Sequence, residues 1–89
     1  MKMNNQDTLK IAEIKVDLLD PPYTFKLYQY ALPKTQTALE IVKKYNPAAS
    51  QLLPMEELIQ EMGTHPTEMN KLRDDLKQFA KVLNEIARK

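Results

Sequence analysis

The side chains best equipped for chemistry in this sequence gather around one histidine. His65 is the only histidine and lies in a Gly63-Thr64-His65-Pro66 segment, with Glu61 before it and Glu68 after it. An imidazole titrates near neutral pH and ligates divalent metals, so the grouping has the makings of a general base or a metal ligand set. A zinc centre needs three or four ligands converging in suitable geometry. One histidine with two glutamates along a single turn falls short of that. His65 therefore reads as a turn residue, biased by Pro66 away from helical dihedrals, and no metal ligand is assigned.

Nucleophilic chemistry has less to work with. The chain has no cysteine, which removes thiol catalysis, thiolate metal sites and disulfides. Ser50 is the single serine and has no recognisable base beside it. Glu57 and Glu61 share a helix face, as surface glutamates commonly do. Gly63 is the only glycine, whereas backbone cradles for phosphate usually need several. The sequence reads as non-enzymatic, with no catalytic residue and no cofactor.

Charge narrows the partners. Thirteen basic and twelve acidic side chains leave a net charge of +1, and phosphate binding needs clustered positive excess. The C-terminal segment carries Lys71, Arg73, Lys77, Lys81, Arg88 and Lys89, diluted by Glu68, Asp74, Asp75 and Glu85. A solvated face with local ion pairs is the favoured interpretation. A small nucleic-acid-binding regulator using that basic side is the alternative. Tyr23, Phe25, Tyr28 and Tyr30 would suit base stacking, but only Lys26 adds positive charge among them. Core packing and protein contact explain those rings better.

The elements that must position these groups follow from periodicity. At 89 residues the chain fits one domain, expected over residues 8–89 after a polar, flexible lead over 1–7. That lead has no apolar run resembling a signal peptide, and no segment has the unbroken apolar length of a membrane span. With the lack of cysteine, this makes the cytoplasm the expected compartment (a host's cytoplasm if the protein is viral). Ile14, Val16 and Leu18 alternate with Lys15 and Asp17, the period of a half-buried strand. Leu9, Ile11, Ile14 and Leu18 also fit a helical stripe, but a second strand-like run, Tyr23 to Tyr30, follows a Pro21-Pro22 turn and favours a hairpin. Leu32-Pro33 closes that run. A helix is expected from Gln36 to Tyr45 and a short one over Ala48 to Leu53. A third should carry Met55, Leu58, Ile59 and Met62, ended by Gly63.

The last helix, opened by Pro66, is the strongest signal. Met69, Leu72, Leu76, Phe79, Leu83 and Ile86 are spaced 3, 4, 3, 4, 3, a short coiled-coil seam widened by Ala80, Val82 and Ala87. The expected fold is α+β: an N-terminal β-hairpin packed on three to four helices, the last long and amphipathic. The core should use Ile14, Val16, Phe25, Leu27, Leu39, Val42, Leu58, Ile59, Leu72, Leu76, Phe79 and Leu83. A helix of roughly 30 Å outreaches so small a domain. Its seam and the aromatic run are therefore the expected contact surface: Tyr28, Tyr30, Met69, Leu72, Leu76, Phe79, Val82, Leu83 and Ile86. The partner is another protein or a second copy, as a homodimer or higher.

Residues 23–47 run from an aromatic strand through Leu32-Pro33 to a short helix with Ala38-Leu39 and then Pro47. That layout resembles the phage tail-assembly chaperones, small non-enzymatic proteins that hold an aggregation-prone partner during virion assembly. The resemblance covers about a quarter of the chain. It implies an assembly factor within the broader expectation of a protein–protein interaction module, whether adaptor, inhibitor or assembly factor.

Overall fold

Asn4 starts the first helix. Its side-chain oxygen accepts the Asp7 amide at 2.8 Å, and its carbonyl accepts the Thr8 amide at 3.0 Å. This is a good N-cap with an acidic residue in the turn it favours. The computed structural model, which describes residues 3–87, continues from there as α1 (Asn5–Leu19), α2 (Leu27–Tyr45), α3 (Leu52–Thr64) and α4 (Met69–Ala87). No strand occurs among the described residues. The expected α+β fold with its N-terminal hairpin is thereby overturned: the protein is all-helical. Residues 1–2 of the expected lead lie outside the described residues, and α1 begins at Asn5.

Each misread segment has a physical cause. Ile14 and Leu18 satisfy both a period of two and an i, i+4 helical pair. Ile11 joins them in the core, while Val16 faces outward and is 64 % exposed. The Asn4 cap and a run of good helix formers decide the outcome, and no second strand forms among the described residues to pair with. The Tyr23–Tyr30 run divides. Thr24 turns the chain by accepting the Leu27 amide on its carbonyl at 3.2 Å and the Lys26 amide on its hydroxyl at 3.2 Å, and α2 begins at Leu27.

Pro33 lies inside α2 instead of ending an element. It withholds an amide from the Gln29 carbonyl, but both residues are on the surface, within reach of water. The buried stripe Leu27, Ala31, Thr35, Ala38 and Val42 runs past it unbroken. Thr35 is buried and donates its hydroxyl to the Leu32 carbonyl at 2.9 Å. The expected Gln36–Tyr45 helix is the second half of this longer one. The resemblance to the phage chaperones loses the aromatic strand on which it rested.

Asn46 ends α2, its amide bonded to the Val42 carbonyl at 2.8 Å. Of the short helix expected over Ala48–Leu53, residues 48–51 form a turn, and Leu52 and Leu53 open α3. Pro54 is accommodated in the first turn of α3, where no intrahelical donor is needed. Gly63 lies within α3 at an ordinary negative φ, so it is no left-handed cap. His65 ends the helix.

Cross-links set the directions of packing. Along α1, Asp17 pairs with Lys34 at 3.0 Å and Asp7 with Lys44 at 3.2 Å, so α2 runs back along α1. Lys43 pairs with Glu56 at 3.1 Å, while Tyr28 lies over Gly63, reversing α3 against α2. Lys15 reaches Asn84 at 3.3 Å, and Arg73 donates to the Pro21 carbonyl, so α4 returns antiparallel to α1. The result is an up-down-up-down four-helix bundle, the arrangement short connections favour. Phe79, Leu76, Leu83, Met55, Met62 and Leu18 fill its centre. Leu39, Leu58 and Ile59, expected in the core, are only partly buried. Val16 and Phe25 are on the outside. Among the described residues no helix is long and apolar enough to cross a membrane.

Candidate functional site

The seam of α4 faces inward. Leu72, Leu76, Phe79 and Leu83 are at most 1 % exposed, and Ile86 is 4 % exposed. They meet α1, α2 and α3 rather than solvent. Of the expected contact residues, Tyr28, Tyr30, Met69 and Val82 keep part of their surface. Val82 borders a shallow groove between α3 and α4 with Leu58 and Gln78. The ridge expected to outreach the fold is instead enclosed by it, because α1 is a full helix that covers α4 together with α3 and, less closely, α2.

An exposed apolar stripe lies on α1, while Leu53 at the start of α3 is exposed singly. Leu9, Ala12, Val16 and Leu19 repeat the 3, 4, 3 spacing of a helical seam. At 100° per residue they stand on the side of the helix away from Ile11, Ile14 and Leu18. Leu9 is 65 % exposed, Val16 64 % and Leu19 50 %. Glu13 and Asp20 flank this stripe on one side and Lys15 on the other. The same spacing that identified the seam of α4 was present here, masked by the strand assignment. Tyr23 and Phe25 are also exposed, in the connection to α2. Arg73 stacks over the Tyr23 ring at 4.0 Å and donates to the Pro21 carbonyl, so this connection is pinned to α4. Those bonds draw Arg73 inward, and Lys71 lies 3.5 Å from Glu68, which thins the basic face of α4.

A second cluster forms where α3 turns into α4. His65 Nε2 lies 2.6 Å from Asp75 Oδ2, both side chains being 11 % exposed. Glu61, one turn back on α3, brings its carboxylate to the same place, and the three ligand-type atoms all fall within 4.8 Å of one another. The Glu61 carboxyl is held above its ordinary range, first by a hydrogen bond shared with Asp75 and then by that group's like charge. Thr64 Oγ1 donates to the Glu61 carbonyl at 2.6 Å and lies 3.3 Å from His65 Nδ1. Of the expected neighbours of His65, Glu61 is in the cluster, whereas Glu68 turns to Lys71. Asp75 was missed, since it lies ten positions from the histidine. An antiparallel α3–α4 pair folded about residues 65–68 would have pointed to it.

Comparison with protein-family models, curated proteins and solved structures finds no match to this chain.

Proposed function

We propose that the protein is a non-enzymatic interaction module that pairs with a second copy of itself through the outer face of α1. The observation that carries this is the exposed stripe Leu9, Ala12, Val16 and Leu19 on a helix whose other side already supplies the core. Burying such a stripe is favourable by about 25 cal/mol per Å² of apolar area, and a 3, 4, 3 spacing suits knobs-into-holes contact with another helix.

The flanking charges select the occupant and its direction. Two copies of α1 side by side in the same direction about a two-fold axis bring Lys15 of one against the Glu13–Asp20 flank of the other. Antiparallel copies would oppose Glu13 to Glu13. Four side chains on one helix supply less than the ~800 Å² per partner of a standard interface, so the pairing is weak and concentration-dependent.

Non-enzymatic action is supported by the local chemistry. The hydroxyl beside His65 is that of Thr64, which is engaged more closely by the Glu61 backbone carbonyl, at 2.6 Å, than by the ring, at 3.3 Å. A chain without cysteine suits a reducing compartment, and we assign the cytoplasm.

Light scattering over a dilution series tests the proposal. The average mass of the wild type should rise toward that of a dimer with concentration, and hold as salt is added. Val16→Glu places a charge in the stripe without touching the core. It should leave the circular dichroism spectrum unchanged and abolish the rise. A wild type that stays monomeric at high concentration, or association untouched by Val16→Glu, overturns it.

A further inference from the structure

We infer that Glu61, His65 and Asp75 form a binding site for a single divalent cation of the zinc type. The donors are of the right kind: one imidazole nitrogen and two carboxylate oxygens, a mixed set that zinc accepts at about 2.0–2.2 Å. They come from three positions that the fold fixes separately, namely the last turn of α3, the cap residue after it and the second turn of α4. Their ligand atoms lie within 4.8 Å of one another. Two ligands on one tetrahedral ion stand about 3.3 Å apart. The 2.6 Å contact between His65 and Asp75 must therefore open slightly and Glu61 must swing in. Glu61 is exposed, so its side chain can swing in when its hydrogen bond with Asp75 gives way to the ion.

Thr64 Oγ1 lies 3.3 Å from His65 Nδ1 and is itself held at 2.6 Å by the Glu61 carbonyl, so the ring is braced on the side away from the cluster. Nε2 is the nitrogen turned toward Asp75. A divalent cation there would sit among one imidazole nitrogen and two carboxylates and neutralise charges that otherwise face one another. Fixing a ligating histidine through its other nitrogen is the usual way that outer contacts orient a metal ligand.

The site opens to solvent between Glu61, Lys71 and Asp74, so an ion has a way in and water can complete its coordination. Lys71 lines the entrance and lies 3.5 Å from Glu68. Magnesium, which prefers oxygen ligands and octahedral geometry, is a poor match for this donor set.

The full-length protein, stripped with a chelator, should take up ZnCl₂ at one ion per chain in a calorimetric titration and show no comparable uptake of MgCl₂. The His65 ring resonances should shift as zinc is added, and Co²⁺ should give the visible absorption of a low-coordinate site. Glu61→Gln keeps an exposed side chain of the same shape while removing a charged ligand, and should weaken zinc binding at least about tenfold. Asp75→Asn should weaken it too, and Glu61→Gln decides the matter should that variant not fold. No stoichiometric zinc binding overturns the inference and leaves the His65–Asp75 contact as the whole account. So does binding that Glu61→Gln leaves unchanged, or shifts confined to residues away from His65. The Val16 stripe is not involved, so neither proposal depends on the other.

Discussion

Single residues tie the helix ends together. Asp7, in the first turn of α1, accepts from the Tyr45 hydroxyl and from Lys44 at the far end of α2. The Tyr45 hydrogen bond is the leading cause, with Lys44 next, of an Asp7 pKa held below its ordinary 3.8. A carboxylate whose folded pKa is depressed stabilises the fold above its unfolded value. That contribution fades as pH falls through the folded value. Tyr45→Phe removes the main donor, so an NMR titration should find the Asp7 pKa moved upward toward 3.8. The variant should be less stable than the wild type at neutral pH, and the difference should shrink in strong acid. Gly63 offers the opposite sign. It sits in helical backbone, and a Cβ there would meet only the Tyr28 hydroxyl, at an ordinary 3.5 Å. Gly63→Ala should therefore raise stability by roughly 0.5–1 kcal/mol, read from the urea midpoint.

At the scale of elements, the sequence was most legible where one period stood alone. The stripe of α4 admits only a helical interpretation, and α4 spans Met69–Ala87, beginning three residues after Pro66, the expected opener. The site was less legible for the same reason the first half of the fold was. Ile14, Val16 and Leu18 obey two periods at once, and choosing the strand placed Val16 in the core and hid the outward stripe of α1. Tyr28 and Tyr30 look like strand residues by type, yet both border the core from α2 as partly buried rings. Pro33 looked like a stop because its missing amide is costly in a buried helix. On a wet face the cost is small enough for the stripe from Leu27 to Val42 to override it. His65 was weighed for its chemistry and set aside as a turn residue. Its partner Asp75 needed the α3–α4 turn to be folded before the two could be seen together.

For the whole molecule, stability rests on one shared core with little redundancy. A domain of this length has a net stability of roughly 5–13 kcal/mol. Phe79 is fully buried at the centre of that core. Phe79→Ala should cost about 3–5 kcal/mol through lost contact and the cavity left behind, measured as a lower urea midpoint. A loss much smaller than that would mean the neighbouring helices can collapse onto the gap.

The last helix touches all three of its predecessors, and α1 and α3 meet each other only through α2 and α4. During synthesis on a ribosome, α1, α2 and α3 emerge first with their greasy sides facing an empty trough. The nascent chain must wait for residues 69–87 before the ring can close. Until then Leu18, Met55 and Met62 are open to any passing chaperone, and a break before Met69 would leave a product unable to shield them.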